Sequence, residues 1–253
     1  MLYRQTILAI AGLSVSALPL AAQDVVEAGK LYLDNWSYDD LYAGDPWSVE
    51  DMFGAEVNGS GGEQIGDVED LVLNDEGQVV ALIAEIGGFW DMGDTHVSVP
   101  WDMVEIDANG PITVPVTQEN IDEFDLFASS GLPTDAQVGE EVVEGVDGEE
   151  LGTGLWRASE LIGDYARVRG EEEQWVNFGY VSDLMIDEGE IVATLVTTTS
   201  RYGPGTYAYP YRGPAREMET GTWSPNAVTY DLPVLVGDAT SLPRFDIEQD
   251  RSN

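Results

Sequence analysis

A β-hairpin pattern that occurs twice constrains the fold of this chain more than any other feature of its sequence. Apolar residues dominate 68–73 and 79–86, and residues 74–77 between them read Asn-Asp-Glu-Gly. Gly77 can supply the positive φ that a short hairpin loop needs. After a polar loop, every second residue of 97–101 is Val, Val or Trp, the period-2 pattern of a half-buried strand. The sequence therefore predicts a hairpin followed by a third strand.

The same arrangement returns in the second half of the chain. Residues 178–193 repeat the hairpin, including its Asp-Glu-Gly turn, and residues 207–211 take the place of 97–101. The two copies share four further positions: Gly66 with Gly179, Asp70 with Asp183, Ala81 with Ala193, and Pro100 with Pro210. A supersecondary unit that occurs twice predicts two domains of similar architecture.

These residues resemble the PRC-barrel family, whose pattern is Ile-Gly, Val, Asp-Leu, a turn glycine, an apolar strand, a glycine pair and a final Val-x-Val-Pro-aromatic run. The first copy follows this pattern closely, whereas the second has Thr198 and Thr199 where the first has Gly87 and Gly88. The resemblance implies an all-β chain of two small antiparallel, SH3-like barrels. It implies docking or assembly and no reaction, because the family has no recognised catalytic set. Its members include domains of the photosynthetic reaction-centre H subunit and of a ribosome maturation factor.

The predicted domain organisation has six segments. In chain order they are a signal peptide over 1–22, an acidic and aromatic arm over 23–46, a first barrel over 47–118, a linker over 119–154, a second barrel over 155–236 and a flexible tail over 237–253. The linker is acidic and rich in glycine, which favours a domain boundary there. The tail is polar, which predicts fraying.

Short helices are predicted next to the barrels. Ser48 precedes one helical turn as an N-cap, with Asp51 three residues further on, and residues 158–163 are its counterpart before the second barrel. In the linker, apolar residues recur with helical spacing behind Thr117. This spacing predicts a connecting helix over 117–127.

Residues 1–22 have the layout of a secretory signal peptide. Arg4 precedes an uncharged apolar run over 6–18, and small residues lead to a cleavage site near Ala22. The run is shorter than the ~20 apolar residues that a membrane span needs, which disfavours the alternative of an uncleaved anchor. We therefore expect a periplasmic or secreted protein. The chain has no cysteine, so neither disulfides nor thiolate metal ligands are available to it.

The chain is strongly acidic, and the charge is unevenly distributed. It has 48 Asp and Glu against 10 Lys and Arg, for a formal net charge of −38, and no Lys or Arg lies between Lys30 and Arg157. The first barrel has 15 acidic residues and no Lys or Arg, whereas the second has 12 acidic residues and six Arg. Nucleic acid is excluded as a partner, because binding to phosphates needs clustered Lys and Arg.

Three explanations of this charge remain open. The acidic surface can be an adaptation to salt, whose ions screen its self-repulsion. It can instead bind weakly held divalent cations or an unknown protein partner that is basic or membrane-associated. Alternatively, the arginines of the second barrel can face the anionic first barrel.

The candidate cation site lies at one end of the first barrel. Carboxylates are the oxygen ligands that Ca²⁺ prefers, and two aspartates in the loop after the hairpin can join three carboxylates of the preceding strand. The five candidate ligands are Asp67, Glu69, Asp70, Asp91 and Asp94. No spacing rule supports this set, so ordinary solvated acidic side chains are the alternative.

A nucleophilic active site is not predicted. His96 is the only histidine, and Ser98 and Asp102 are too loosely arranged around it for a triad. We assign neither a catalytic residue nor a cofactor. The expected function is a non-catalytic, exported, protein-binding or assembly module of the cell envelope. The alternatives are a divalent-cation-binding or stress-related envelope protein, and a hydrolase that uses paired carboxylates.

An aromatic stripe follows the second hairpin. Its three tyrosines occupy every second position of a predicted strand and answer the apolar residues of 97–101, which favours a place in the core. The alternative is an exposed recognition face flanked by two arginines. This candidate interaction surface consists of Tyr207, Tyr209, Tyr211, Arg201 and Arg212.

Overall fold

The computed structural model consists mainly of β-strands, with a few short helices. It describes residues 32–33, 35–44, 46–87, 95–106, 111–124, 143–144, 150–151, 154–172, 174–211, 213, 223 and 228–246. Two curled half-barrel sheets contain nearly all of the strands, which confirms the predicted all-β class. Among the described helices, none has the length and apolar character required to cross a membrane.

The strands and helices are numbered in chain order. The strands are β1 Trp47–Ser48, β2 Glu56–Asn58, β3 Gln64–Asn74, β4 Val79–Ile86, β5 Thr95–Pro100, β6 Glu105–Ile106, β7 Ile112–Thr113, β8 Val143–Glu144, β9 Glu150–Leu151, β10 Leu155–Arg157, β11 Tyr165–Arg169, β12 Trp175–Asp187, β13 Glu190–Thr198, β14 Thr206–Pro210 and β15 Thr229–Leu235. The α-helices are α1 Asp39–Ala43, α2 Val49–Met52, α3 Ala158–Leu161 and α4 Val236–Ala239.

The two sheets share an order of five strands, to which the first sheet adds β6. The first runs β5-β4-β3-β2-β7-β6 and the second runs β14-β13-β12-β11-β15. Each contains one of the predicted hairpins, β3 with β4 and β12 with β13. The neighbours along these paths are antiparallel except β2 with β7 and β11 with β15, which are parallel. The sheets are therefore mainly antiparallel, with one parallel strand pair in each.

The first hairpin turn has the predicted geometry. Gly77 has a φ of 83°, in the left-handed region that glycine adopts without steric cost. The Asn74 side chain closes the turn, because its Oδ1 accepts hydrogen bonds from the N–H groups of Glu76 at 3.0 Å and Gln78 at 2.9 Å. An asparagine that binds its own turn in this way favours the hairpin locally.

The first strand of each half lies in the sheet of the other half. β1 pairs with β12, with Ser48 opposite Met185, and β10 pairs with β3, with Arg157 opposite Val72. The predicted helical turns α2 and α3 follow these two strands directly, and the Ser48 hydroxyl caps α2 by accepting from the Asp51 N–H at 3.1 Å. Each sheet is therefore extended by a segment from the opposite half.

The tips of the two hairpins also contact each other. The Val79 N–H donates to the Gly189 carbonyl at 2.8 Å, and the Ile191 N–H donates to the Gly77 carbonyl at 2.9 Å. These reciprocal hydrogen bonds join β4 to the second hairpin turn and β13 to the first. The two halves are therefore bonded backbone to backbone at their centre.

One hydrophobic core extends through both sheets. Trp156, on β10, is fully buried. Its ring centroid lies 4.7 Å from that of Trp223 and 6.1 Å from that of Tyr211, while its Nε1 donates to the Asn74 carbonyl of the first hairpin at 3.1 Å. A single residue thus packs against aromatic rings of the second half and bonds to a strand of the first.

The predicted arm and tail both pack against β14. In the arm, Trp36 Nε1 donates to the Ala208 carbonyl at 2.9 Å, and α1 begins three residues later. In the tail, the Phe245 N–H donates to the Thr206 carbonyl at 2.8 Å. A flexible tail was predicted from residue 237, but Ala239 and Phe245 in this segment are buried.

The described part of the linker lacks the predicted connecting helix. Residues 117–120 form a turn and Ile121–Glu123 is a single 3-10 turn. Asn120 Oδ1 accepts from the Thr117 N–H at 2.7 Å, and Asn120 Nδ2 donates to the Pro115 carbonyl at 3.0 Å. Such local bonds from a side chain to the backbone compete with helix formation. The predicted helix continues to residue 127, and its last part lies outside the described residues.

Candidate functional site

Three of the five candidate cation ligands lie on β3 and differ in their exposure to solvent. Asp67 is exposed, Glu69 is half-buried and Asp70 is buried. Glu69 lies where the register between β3 and β4 shifts, and its Oε2 is 3.2 Å from Nε2 of His96. His96 thus lies beside a carboxylate of the neighbouring hairpin.

The other two candidates, Asp91 and Asp94, lie outside the described residues. Within the ranges that the structure describes, no three side chains of His, Cys, Asp or Glu form a group that could hold a metal ion. Asp70 is also committed elsewhere, since it accepts hydrogen bonds from the second half of the chain.

Asp70 and Asp183 each accept hydrogen bonds from the helical turn of the opposite half. The Ser48 hydroxyl donates to Asp183 Oδ2 at 2.6 Å, and the Glu50 N–H donates to Asp183 Oδ1 at 3.0 Å. In the other half, Ser159 donates to Asp70 through its hydroxyl and, at 3.3 Å, through its N–H. We call these the reciprocal aspartate contacts. They attach β1 with α2 to the second sheet, and β10 with α3 to the first sheet.

Burial raises the pKa of both carboxyls, and the hydrogen bonds that they accept from serine and backbone donors partly oppose this rise. The charges that face the two groups differ. Arg157 faces Asp70 and lowers its pKa, whereas Glu50 faces Asp183 and raises its pKa. Both carboxyls therefore bind protons more readily in the folded chain than in the unfolded chain.

The reciprocal aspartate contacts should make stability depend on pH. A folded-state pKa above the unfolded value means that the folded state binds more protons, so stability falls as pH rises. As pH rises above about 4, the ordinary pKa of an aspartate, we expect the native chain to lose more stability than the double variant Asp70→Asn, Asp183→Asn. Urea unfolding over this pH range measures the difference.

Asp102→Asn is the matched control for this experiment, because Asp102 is an exposed aspartate of the same half and lies outside the first sheet's strands. Its unfolding free energy should follow the pH dependence of the native chain. An unchanged pH dependence in the double variant would contradict the role of the two buried carboxyls.

A row of exposed carboxylates crosses the outer face of the first sheet. Glu56 on β2 lies opposite Asp67 on β3, and Asp67 lies opposite Glu85 on β4. All three side chains are exposed, and we call them the acidic row. Like charges directly opposite each other on neighbouring strands destabilise a sheet. Only the strand register brings these residues together, so no pattern in the sequence pointed to the row.

The arginines of the second half are used differently from one another. Arg157 is buried where β10 joins the first sheet, near Asp70. Arg167 instead forms a bidentate salt bridge with Asp231 of its own sheet, in which Nε donates to Oδ1 at 2.6 Å and Nη2 donates to Oδ2 at 2.7 Å. The Arg169 guanidinium lies 3.7 Å from the ring centroid of Trp175, also in the second half. Of these three, only Arg157 faces the first half. The explanation in which the arginines of the second barrel face the anionic first barrel therefore applies to Arg157 alone among them.

The aromatic stripe lies mostly inside the protein. Tyr207 and Tyr209 are buried in the core, and so they present no recognition face. The half-buried Tyr211 packs over the first hairpin turn, where a Cβ added to Gly77 would lie 2.6 Å from its ring. Arg201 is exposed, with its guanidinium 5.5 Å from the ring centroid of Tyr202. Arg212, the fifth member of this candidate surface, lies outside the described residues.

A family model for the PRC-barrel domain matches residues 48–121. The match begins at the N-cap of α2 and ends in the 3-10 turn after β7. It therefore spans the hairpin, the acidic row and both parallel strands of the first sheet. A search of curated protein sequences found no match to the chain. The family match and the curled sheet together show that this chain contains a PRC-barrel domain over residues 48–121.

Proposed function

We propose that this chain is a non-catalytic binding protein of the cell envelope, exported by the leader over residues 1–22. In this proposal the second sheet is a second PRC-barrel repeat, and the first repeat presents an anionic face to a basic protein partner. The strand order that the two sheets share supports the second repeat. The acidic row carries the binding proposal.

The acidic row has the properties of a docking face. Three neighbouring strands place their carboxylates side by side, and these side chains point to solvent. No Lys or Arg occurs between residues 30 and 157 to neutralise them from within the first half. A basic surface would relieve the repulsion on contact, and complementary charge of this kind raises association rates and selects partners.

The triple variant Glu56→Gln, Asp67→Asn, Glu85→Gln tests the proposal. Its matched control is Glu171→Gln, Glu172→Gln, Glu188→Gln, which removes three exposed carboxylates of the second half. The native chain and the control should retain a basic protein from an envelope extract at low salt, and the row variant should not. High salt should abolish retention by the native chain and by the control, because exposed charges are screened beyond ~10 Å at 0.1 M.

The same variants separate a docking face from a general adaptation to salt. Removal of directly opposed like charges should raise the free energy of unfolding by roughly 0.5–2 kcal/mol at low salt, and the control should change it less. Equal retention by the row variant and the control would refute the docking face. Retention that persists at high salt would refute its electrostatic basis.

A further inference from the structure

A cleft of about 320 Å³ opens between the arm and the C-terminal segment, and its lining residues lie outside the PRC-barrel match. Its walls include three aromatic rings, a proline and two side chains of opposite charge. These residues are Trp36, Tyr38, Tyr42, Pro243, Asp39 and Arg244. The volume falls in the range of small-molecule sites, which combine an apolar lining with a few polar groups.

The three rings of the cleft are set nearly at right angles. The Trp36 and Tyr38 planes meet at 78° with centroids 6.5 Å apart, and the Tyr38 and Tyr42 planes meet at 85° with centroids 6.3 Å apart. Perpendicular rings offer both faces and edges to one small volume. Aromatic cages that bind quaternary ammonium groups use this kind of arrangement, because the negative face of each ring attracts the cation.

Hydrogen bonds to the second half hold the rings in place. Trp36 Nε1 donates to the Ala208 carbonyl at 2.9 Å, and the Ala208 N–H donates to the Tyr38 hydroxyl at 3.1 Å. The Asp246 N–H donates to the Tyr42 hydroxyl at 3.2 Å. The polar atoms of the rings are thus hydrogen-bonded to the backbone, so ligand binding would not carry the entropy cost of ordering these side chains.

The charged side chains of the cleft suit a zwitterion. Asp39 and Arg244 are both exposed, and within the described residues no ion pair joins them. The stem of Arg244 lies against Gly205, where an added Cβ would be 2.9 Å from Arg244 Cδ. A guanidinium supported in this way can form paired hydrogen bonds with a phosphate or carboxylate.

We propose that this cleft binds a small zwitterion with a quaternary ammonium group and an attached anion, of the phosphocholine or trimethylammonium-carboxylate class. The half-buried rings of Trp36 and Tyr42 contact the ammonium group, and the buried ring of Tyr38 packs against both of them. Asp39 adds its negative charge, and Arg244 receives the anion. A primary ammonium group is a weaker ligand here, because its strong hydration must be given up on entry. The site stands apart from the acidic row, so its failure and that of the docking proposal are independent.

Calorimetric titration of the full chain with phosphocholine, glycine betaine and phosphoethanolamine tests this proposal. We expect saturable binding of the first two with a Kd of about 1 mM or tighter. Phosphoethanolamine, which has the same charges without the methyl groups, should bind at least ~5-fold more weakly. Vesicles of phosphatidylcholine and of phosphatidylglycerol, used in a sedimentation assay, show whether the headgroup is also bound when it belongs to a lipid.

Variants assign the binding to the cleft. Tyr42→Leu should weaken phosphocholine binding about 5-fold or more, while Tyr42→Phe should preserve it, because the ring face is retained. Arg244→Gln should weaken phosphocholine and leave choline unchanged, and this exposed side chain can be replaced without loss of folding. The control Tyr165→Ala removes an aromatic residue that is 57% exposed on β11, and its affinity should match that of the native chain.

Several results would overturn the proposal. These are the absence of heat with both quaternary ligands, equal affinity for phosphoethanolamine and phosphocholine, and an equal loss of affinity in Tyr165→Ala and Tyr42→Leu. Saturable binding of glucose in place of the zwitterions would also overturn it, because a sugar would then be the ligand that the rings stack against.

Discussion

Replacement of Trp156 by alanine is expected to lower the free energy of unfolding by about 3–5 kcal/mol, the range for a large aromatic residue removed from a core. Trp156 is fully buried between Trp223 and Tyr211, and its indole N–H also bonds to the first hairpin. The cavity would therefore open where the two halves meet. Guanidinium unfolding, followed by far-ultraviolet circular dichroism, measures the loss.

Trp175→Ala is the matched control for this experiment. Trp175 is half-buried at the start of β12 and its ring contacts Arg169, so we expect a loss of only about 1 kcal/mol. Both variants should unfold in one transition, because the two sheets share a core and exchange their first strands. An equal loss in the two variants, or separate transitions for the two halves, would contradict this account.

The second large effect is expected at the two glycines shared by the hairpins. A Cβ at Gly66 would lie 2.0 Å from the Glu85 carbonyl oxygen, and one at Gly179 would lie 2.1 Å from that of Thr197. Both obstacles are backbone atoms of the partner strand, so relief requires the strands to separate. We expect Gly66→Ala and Gly179→Ala each to cost about 3 kcal/mol or more, the upper end of the range for overpacking.

Gly237→Ala is the matched control for the two shared glycines. No atom lies within 4 Å of the added Cβ at this exposed position of α4, and alanine favours helix. Its unfolding free energy should be unchanged or slightly raised. A loss at Gly66 or Gly179 no larger than at Gly237 would show that the sheets accommodate the added methyl group.

Much of the architecture could be predicted because its signals are local. The hairpins follow from apolar runs around a turn glycine, and α2 follows from a serine N-cap. The connecting helix was predicted by the same kind of argument and is absent up to residue 124, because Asn120 bonds to the turn that precedes it. A periodic apolar pattern does not outweigh a competing side chain at the start of so short a segment.

The candidate site was less predictable, since its residues meet only through tertiary structure. Asp67 and Asp70 were identified on β3. The register between β3 and β4 shifts between Val68 and Asp70, so that Asp67 is exposed and Asp70 is buried. Glu56 and Glu85 were not singled out, because nothing in the sequence states which residues face each other across strands. The cleft residues Trp36 and Arg244 are far apart in sequence and are joined only by packing on β14.

The hairpin strands, the two hairpin turns and the strong negative charge of the first half follow from the amino-acid sequence alone, since each depends on residue type and near neighbours. The exchange of first strands between the two halves depends instead on tertiary contacts. β1 and β10 are two and three residues long, too short to show a periodic pattern. Their local sequence does not favour pairing with one sheet over the other. The hydrogen bonds to Asp70 and Asp183 and the shared core select the pairing, and these residues lie far away along the chain.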